Sequence, residues 1–340
     1  MSNSTSIDRV AAEKTPPETP HLSFEYHKDT KTVSRTVLRA DHSTFSTRID
    51  VPNGVSRRQD PQSMFDQAWL LSVKGCWHGP LRGEVRVVDL FSGCGGLSLG
   101  AREACVASGR KFKPALAVDH DEDSLDVYKR NFHPELIHNG DIWKLLTGEI
   151  GQSLRSVEKE LAKRIGTIDV LLAGPPCQGH SDLNNHTRRN DKRNNLYERV
   201  ARFAEVAAPS HIIIENVPTV IHGRDNSLER TMNRLRELRY QVSSQVVSLA
   251  LLGVPQRRRR HVVVASLEEQ ISIASMIQKH RVPKERSLKW AIGDIEEEER
   301  VEIFRTPSIL HKDNLRRIDY LMKTNTNDLP NHLRPMCHQD

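Results

Sequence analysis

The sequence predicts an α/β fold: a doubly wound, mostly parallel sheet with an antiparallel closing strand pair. From residue 85 onward, short apolar runs alternate with segments of helical spacing, which is typical of βαβ units. Two further apolar runs, 240–248 and 261–266, are joined by a short connection and favour an antiparallel pair at the end of the series. At 340 residues, the chain is long enough to bury a large core around such a sheet.

Each element of this fold has its own pattern. Short apolar runs predict the parallel strands at 85–91, 114–118, 136–139, 168–173 and 211–215. Apolar residues at helical spacing predict the helices at 97–107, 123–132, 152–164, 196–207 and 227–238. Weaker patterns predict a small strand pair near 22–26 and 32–38, and helices at 64–71, 288–295 and 315–322.

Composition divides the chain into four parts. Residues 1–20 are rich in Ser, Thr, Pro and Glu, without an apolar period, and are expected to form a disordered tail. Residues 21–84 form an N-terminal extension of unassigned role, residues 85–267 carry the α/β pattern, and residues 268–340 are more charged.

Charge and cysteine usage favour some classes of protein over others. A net charge of +6 favours a polyanionic partner such as nucleic acid. The five cysteines include no Cys-x-x-Cys pair, which argues against a disulfide framework or a metal site and for a reducing, cytoplasmic compartment. No run of 18 apolar residues is present, so a membrane partner is not expected.

A glycine turn after the first parallel strand indicates a nucleoside site. Phe91 stands at the strand tip, and Gly93 and Gly95 let backbone amides approach a ligand where a helix begins. Asp119 ends the next strand, where ribose hydroxyls would be bound, and Asp141 ends the third, where an adenine amino group could be read. An ordinary tight turn is the alternative, and the Gly-x-Gly-Gly spacing weakens a dinucleotide site.

The later strands carry side chains suited to a reaction. Cys177 follows an apolar strand and two prolines, and Glu215 ends the next strand, so both can face one cleft. In a strand that begins with the arginine run, Arg258 and Arg260 would share a face. Each feature taken alone has a more common structural explanation: a lone cysteine is more often buried in the core, and an arginine run more often lies on a solvated surface. Together, a thiolate adding at C6 of cytosine, a carboxyl at N3 and a guanidinium at O2 would activate C5 toward a methyl donor.

Six motifs in order resemble those of the DNA (cytosine-5) methyltransferase family. They are Phe-x-Gly-x-Gly-Gly, the acid Asp119, Gly-Asp-Ile, Pro-Cys-Gln, Glu-Asn-Val and Gln-x-Arg-x-Arg, between about Arg86 and Ser266. The resemblance implies a Rossmann-like S-adenosylmethionine-dependent methyltransferase fold. It implies a catalytic domain at 85–267, with 268–340 as a partial lead-in to a target-recognition region. The implied reaction is methyl transfer to C5 of cytosine in DNA, through a covalent cysteine adduct on a flipped base, in a restriction-modification system.

The resemblance also implies roles for matching residues. Cys177 would be the nucleophile, with Glu215, Arg258 and Arg260 as further catalytic residues, and no metal is expected. The S-adenosylmethionine pocket would be lined by Phe91, Gly93, Gly95, Leu97, Asp119, His120, Asp141, Ile142, Pro176 and Leu196. The substrate would be contacted by Gln178, Ser181, Arg188, Arg189, Asn216 and Gln256.

Two expectations concern the partners of the chain. Segment 179–195 corresponds to the mobile loop of the family, and its basic residues are expected to close on double-stranded DNA. The target-recognition region and last two motifs of the family are not found after Ser266, which predicts a truncated product or half of a split enzyme that a second chain completes. A tRNA cytosine-C5 methyltransferase and an inactive half are the alternatives. The expected location is cytoplasmic, and nucleoid-associated if the source is bacterial.

Overall fold

The computed structural model describes residues 21–39, 41–72, 75–176, 196–222, 226–296 and 310–335. The tail 1–20 and the loop 179–195, for which disorder and mobility are predicted, lie outside the described residues. So do the predicted site residues Cys177, Gln178, Ser181, Arg188 and Arg189. The chain divides into two compact units, Met1–Ala291 and Ile292–Asp340.

The N-terminal extension contains a four-stranded antiparallel sheet. Its strands, neighbours in chain order, are β1 (His21–His27), β2 (Thr32–Leu38), β3 (Thr44–Asp50) and β4 (Trp77–His78). The predicted strand pair corresponds to β1 and β2. The sequence does not predict β3, because its apolar residues Phe45 and Ile49 are four positions apart and lack the alternation of a strand.

Helix α1 (Pro61–Leu71) packs against this sheet. It begins after Asp60, whose carboxylate accepts a hydrogen bond from the Ser63 amide at 2.9 Å. Phe65 of the helix and Ile49 of β3, both 1% exposed, belong to one small apolar core. The extension therefore has a core of its own, separate from that of the main sheet.

The main sheet has seven strands. They are β5 (Glu84–Leu90), β6 (Lys111–Asp119), β7 (Leu136–Asn139), β8 (Val170–Ala173), β9 (His211–Asn216), β10 (Gln241–Ser248) and β11 (Arg259–Ser266). Their spatial order is β10-β11-β9-β8-β5-β6-β7. The pairs from β9 to β7 are parallel, whereas β11 runs antiparallel to both β9 and β10. The predicted α/β fold, mostly parallel and closed by an antiparallel strand pair, is confirmed.

Helices connect the parallel strands. They are α2 (Gly96–Ala107), α3 (Glu122–Phe132), α4 (Ile142–Leu145), α5 (Ser156–Ile165), α6 (Leu196–Ala207) and α7 (Ser227–Glu237). From β5 the chain moves to one edge through β6 and β7, and then to the other side of β5 through β8 and β9. Right-handed crossovers in the two directions place helices on opposite faces of the sheet. The reversal between β5 and β8 is where such sheets bind ligands, beyond the carboxyl ends of the strands.

Within the described residues, three helices follow β11. They are α8 (Ile273–His280), α9 (Leu288–Glu296) and α10 (Lys312–Thr324). The predicted helix at 315–322 lies within α10, which extends to Thr324, and a 3-10 turn that the sequence does not predict follows at Asn331–Leu333. No helix in the described ranges is long and apolar enough to cross a membrane.

Candidate active site

The glycine turn joins β5 to α2. Gly93 and Gly95 have φ values of +49° and +92°, a backbone conformation that favours glycine. A Cβ on Gly95 would lie 2.3 Å from a ring carbon of Phe132, whereas one on Gly93 would meet nothing within 4 Å. Phe91 at the strand tip also has a positive φ, 60°, which is unusual for an aromatic residue. The turn therefore places glycine backbone next to the aromatic ring of Phe91. Its positive φ values are ones that few residues other than glycine adopt.

Asp119 connects the end of β6 to this turn. Its Oδ2 accepts a hydrogen bond from the Gly93 amide at 2.7 Å, and its Oδ1 accepts from the amides of His120 and Asp121 at 2.8 and 3.0 Å. The His120 ring is 81% exposed, with its Nδ1 3.3 Å from Oδ1 of Asp119. Because a carboxylate oxygen has two lone pairs, Oδ2 can accept a further hydrogen bond from a ligand hydroxyl.

Asp141 lies at the third strand end and begins α4. Its carboxylate accepts a hydrogen bond from the Trp143 amide at 3.0 Å, and the neighbouring Ile142 is buried. The guanidinium of Arg199, on α6, lies 3.9 Å from the centroid of the Trp143 ring system. Arg199 is fully buried and also donates to the Leu146 carbonyl at 3.1 Å. Helix α6 is thereby attached to the segment that Asp141 begins.

Two other predicted pocket residues flank these elements. Leu97 is the second residue of α2, and a methyl carbon of its side chain would lie 3.9 Å from a Cβ on Gly174 after β8. Leu196 is the first residue of α6 and packs against the main core. Leu97 is thus next to the reversal between β5 and β8.

Asp89, in β5, is enclosed by the protein. It is 1% exposed and accepts a hydrogen bond at 2.7 Å from the Ser98 hydroxyl, which lies 2.8 Å from the Tyr128 hydroxyl. Burial raises the pKa of Asp89 to about 7. Its Oδ1 has no hydrogen-bond partner among the described residues. Asp89 therefore links β5 to α2 and α3.

Asn216 fixes the loop that leads to Cys177. It is 3% exposed, and its Nδ2 donates to the Pro175 carbonyl at 3.0 Å. On the other side of β8, the Gly174 amide donates to the last carbonyl of β5 at 3.2 Å. Pro176, the last described residue before Cys177, is therefore held where the ends of β5, β8 and β9 meet.

Glu215 and Arg260 form an ion pair at the end of β9. Nε of Arg260 lies 2.5 Å from Oε1 of Glu215, and the side chains are 17% and 32% exposed for Arg260 and Glu215 respectively. The sheet register explains the contact, because Val262 pairs with Glu215 and Arg260 lies two residues earlier on the same face of β11. The structure therefore brings together two residues that are distant in the sequence.

Arg258 and Gln256 lie in the turn before β11. Both are exposed, and the strand begins at Arg259. The Arg258 amide donates to the Gln256 carbonyl at 2.8 Å, and the Arg258 carbonyl accepts from the Leu249 amide at 2.9 Å. Since Arg258 is outside the strand, strand alternation does not place its side chain beside that of Arg260, contrary to the sequence-based expectation.

Among the described residues, the buried cysteines are not activated thiols, and the His, Cys, Asp and Glu side chains form no metal-binding cluster. Burial raises the pKa of the Cys76 and Cys105 thiols to about 11, so both are protonated at neutral pH. Cys94 is exposed in the glycine turn. Within the described ranges, no group of three His, Cys, Asp or Glu side chains could hold a metal ion.

Comparison with known proteins identifies the family. The family model of the C-5 cytosine-specific DNA methylases matches residues 85–339. The chain belongs to this family. This methylase chain is 39% identical to the Type II methyltransferase M1.BsuMI of Bacillus subtilis over 316 residues, which cover 92% of this chain and 74% of that protein. It is 29% identical to the Type II methyltransferase M.NgoBV of Neisseria gonorrhoeae, over 55% of this chain and 42% of that protein.

The extent of these matches differs along the methylase chain. The match with M1.BsuMI covers so much of the chain that it extends into the N-terminal extension, which lies outside the family match. By contrast, the chain spans less than half the length of M.NgoBV. Among solved structures, a DNA modification methyltransferase encoded within an E. coli prophage is 28% identical, with a TM-score of 0.48 over 61% of this chain and 54% of its own.

The cofactor of C5 DNA methylases is S-adenosylmethionine, and the residues at the glycine turn fit it. The space at Gly93 is open to a ligand, and Asp119 retains acceptor capacity for ribose hydroxyls. Phe91 places an aromatic ring at the same strand tip. This set supplies an open backbone, a hydrogen-bond acceptor and an apolar face, which a nucleoside requires.

Two functional contacts were not foreseen from the sequence. Arg199 lies on the apolar face of α6, between Leu196 and Phe203. A charged residue on the apolar face of a helix is a sequence signal that its side chain has a buried partner. Asn216 was expected to contact substrate, but its amide holds the Pro175 carbonyl. The side chain of that asparagine gives no sequence signal for this contact, because Pro175 is 41 positions away.

Proposed function

We propose that this methylase transfers a methyl group from S-adenosylmethionine to C5 of cytosine in DNA. The ion pair of Glu215 and Arg260 carries the proposal, because it lies at the sheet edge where Pro176 leads into Cys177. N3 and O2 of cytosine are both bonded to C2, so a carboxyl and a guanidinium 2.5 Å apart are close enough to contact these two neighbouring atoms of one base. Both side chains are partly exposed, so a flipped base can reach them.

In the inferred reaction, the Cys177 thiolate forms a bond to C6 of the flipped cytosine, and C5 becomes nucleophilic. The carboxyl O–H of Glu215 donates a hydrogen bond to N3 and the Arg260 guanidinium donates one to O2, so both groups stabilise the negative charge that the addition places on the ring. S-adenosylmethionine supplies an electrophilic methyl group when bound. After C5 has gained the methyl group, its proton passes to water and the bond between sulfur and C6 breaks, with the electron pair returning to sulfur, which restores both the aromatic ring and the thiolate.

The proposal assigns the remaining predicted residues to two regions. The cofactor pocket lies at the glycine turn and includes Phe91, Gly93, Gly95, Leu97, Asp119, His120, Asp141, Ile142, Pro176 and Leu196. Arg258 and Gln256 assist at the cytosine, and Gln178, Ser181, Arg188 and Arg189 contact DNA. The geometry that supports the first region is the hydrogen bond between Asp119 and the Gly93 amide. Residues 85–267 form the catalytic domain in this proposal.

The relatives support a finer proposal about context. M1.BsuMI and M.NgoBV are Type II methyltransferases, which favours double-stranded DNA as substrate over tRNA and supports a place in a restriction-modification system. For a bacterial source, a cytoplasmic location beside the nucleoid is part of the same proposal. The second chain expected from the sequence has no support among these relatives, and we do not include it.

The proposal is tested with duplex DNA that contains 5-fluorocytosine, because fluorine at C5 prevents the final loss of a proton and traps the covalent adduct. Incubation with S-adenosylmethionine should give a protein-DNA adduct that is stable to denaturant. Replacement of the nucleophile, Cys177→Ser, should abolish the adduct. The matched control Cys76→Ser changes a thiol held protonated by burial and should retain the adduct.

Two outcomes would contradict the proposal. Absence of an adduct with the wild-type chain over a library of random duplexes would exclude the activity. An adduct of equal yield in Cys177→Ser would exclude Cys177 as the nucleophile. Substitution of a tRNA pool for DNA distinguishes the nucleic acid, since only duplex DNA should be trapped.

A further inference from the structure

An arginine that follows the main sheet in the chain contacts the N-terminal extension. Arg286 lies between α8 and α9, and its side chain is 7% exposed. Its Nη2 lies 2.6 Å from Oδ2 of Asp66 on α1, and its guanidinium carbon lies 4.5 Å from the centroid of the Trp290 ring system. An ion pair therefore joins the helix of the extension to the chain segment beyond the main sheet.

Trp290 is also held by the extension. Its indole Nε1 donates to Oε1 of Gln59 at 2.9 Å, and its carbonyl accepts from Nε2 of Gln67 at 2.8 Å. Gln59 and Gln67 are joined to each other by a hydrogen bond of 2.8 Å. The extension thus fixes both the guanidinium of Arg286 and the aromatic ring beside it.

The opposite side of Arg286 packs on the turn between β10 and β11. Its Nη1 donates to the Gly253 carbonyl at 3.4 Å, and a Cβ on Gly253 would lie 2.9 Å from the guanidinium carbon. Gly253 has a φ of +92°, which any other residue would adopt with strain. In addition, the Val282 amide donates to the Leu251 carbonyl at 2.9 Å. Glycine at position 253 leaves the space in which this arginine fits.

This turn leads directly into the proposed catalytic arginines. The hydrogen bond from the Leu249 amide to the Arg258 carbonyl, 2.9 Å long, closes the turn just before β11 begins. Arg260 follows two residues later and pairs with Glu215. Because the pairing of β11 with β9 begins at His261, one residue after Arg260, displacement of the turn moves Arg260 relative to Glu215.

We propose that Arg286 is a positioning residue, through which the N-terminal extension holds segment 256–260 in register with Glu215. Arg286 touches neither substrate nor cofactor in this proposal and acts through the turn at Gly253. Its effect on catalysis rests on the proposed function, whereas its effect on the order of the turn does not. The match with M1.BsuMI, which extends into the extension, is consistent with a methylase that depends on this element.

The experiment compares the full-length chain with four single variants, which are Arg286→Met, Arg286→Lys, Asp66→Asn and Arg48→Met. Arg286→Met removes the ion pair and the hydrogen bond to Gly253 while keeping an unbranched side chain, and Asp66→Asn weakens the ion pair alone. Arg48→Met is the matched control. Arg48 is exposed on β3, where it pairs with Ser34 of β2, and it takes no part in the contacts of Arg286 described above. Hydrogen exchange of peptides covering 249–258 is measured together with kcat, KM for duplex DNA and the dissociation constant for S-adenosylmethionine.

In Arg286→Met, exchange in 249–258 should accelerate by about tenfold or more, while peptides from β5 and β6 keep the wild-type rate. The value of kcat should fall by on the order of tenfold to a hundredfold, with the cofactor dissociation constant unchanged. Asp66→Asn should show a smaller change of the same kind, and Arg286→Lys should recover part of the loss. Arg48→Met should match the wild type in every measurement.

Unchanged exchange in 249–258, or faster exchange with an unchanged kcat, would overturn the proposal. If Arg286→Met does not fold, the same two criteria are applied to Asp66→Asn. An inactive wild-type chain would remove the proposed function, and the exchange measurement would still show whether Arg286 orders the turn.

Discussion

Nε of Arg260 lies 2.5 Å from Oε1 of Glu215, across two neighbouring strands that run in opposite directions. Each side chain gives the other an opposite charge at close range, so both are held in place before any base arrives. Such preorganisation matters because charged groups already aimed at a reacting ring do not have to reorient during the reaction. The pair therefore links the antiparallel insertion of β11 to the chemistry proposed for the cleft.

Loss of either member of this pair should slow the formation of the covalent adduct. We expect Glu215→Gln and Arg260→Met to lower its rate by on the order of 10²- to 10³-fold, because the first removes the carboxyl O–H that donates to N3 and the second removes the guanidinium that donates to O2. Single-turnover trapping on 5-fluorocytosine DNA measures the rate. The neighbouring arginine provides the control, since Arg259→Met leaves the pair intact and should react at nearly the wild-type rate. A wild-type rate in Glu215→Gln would disprove the role.

Removal of the Asn216 side chain should misplace the cysteine loop. Asn216→Ala leaves the buried Pro175 carbonyl without its donor, which costs about 1–3 kcal/mol of stability. The adduct rate should fall further than this implies, by on the order of a hundredfold, because Pro176 is no longer held beside β9. Thermal unfolding and trapping kinetics separate the two effects. Asn131→Ala removes a comparable amide from an exposed site on α3 and should change neither.

Adjacent glycines should respond oppositely to alanine. Gly95→Ala places a methyl group within 2.3 Å of Phe132 at a φ of +92°, and should destabilise the fold by roughly 2–5 kcal/mol and weaken S-adenosylmethionine binding. Gly96→Ala meets nothing within 4 Å at the start of α2 and should be neutral or slightly stabilising. Denaturant unfolding and calorimetric titration of the cofactor distinguish them. Equal stability of the two variants would contradict the steric account.

The buried Asp89 should make stability depend on pH. Its pKa is raised to about 7, above the value near 3.9 of an exposed aspartate, so the folded state binds the proton more tightly than the unfolded state. The resulting contribution is fully present below about pH 4 and is lost as the pH rises through 7. It amounts to no more than about 4 kcal/mol at 1.36 kcal/mol per pKa unit.

Replacement by asparagine isolates this contribution. The free energy of unfolding of the wild type should decrease, relative to that of Asp89→Asn, between pH 5 and pH 8. Denaturant titrations at several pH values measure the difference. Asp126→Asn, at an exposed site on α3, is the control, and its difference from wild type should stay constant. A difference that is also constant for Asp89→Asn would show that the carboxyl is ionised throughout.

Most of the main sheet could be predicted from the sequence because its strands are buried on both faces. Continuous apolar runs such as Ile212, Ile213 and Ile214 give a strong signal, and the predicted α/β class follows from their alternation with helices. The insertion of β11 between β9 and β10 gives no such signal, since adjacency of strands depends on packing rather than on sequence order. In the small sheet of the extension, the sequence predicts β1 and β2 but not β3, because the apolar residues Phe45 and Ile49 of β3 lack the alternation of a strand.

For the site, the sequence predicts residue types better than contacts. The family resemblance assigns Glu215 and Arg260 to one cytosine, and the register of β9 and β11 brings the two side chains together. The ion pair of Asp66 and Arg286 joins residues 220 positions apart, and no local sequence pattern predicts a contact over that separation. Cys177 lies outside the described residues, so its assignment as the nucleophile stays a prediction.

The place of β11 in the sheet also orders events during synthesis of the chain. All strands that support the glycine turn and the Pro176 loop precede residue 217, whereas Arg260 belongs to a later strand that must enter between β9 and β10. A nascent chain therefore contains its nucleoside-binding half well before it can complete the charged pair. Under the proposed function, the chain cannot modify DNA before the last strand of the sheet is inserted.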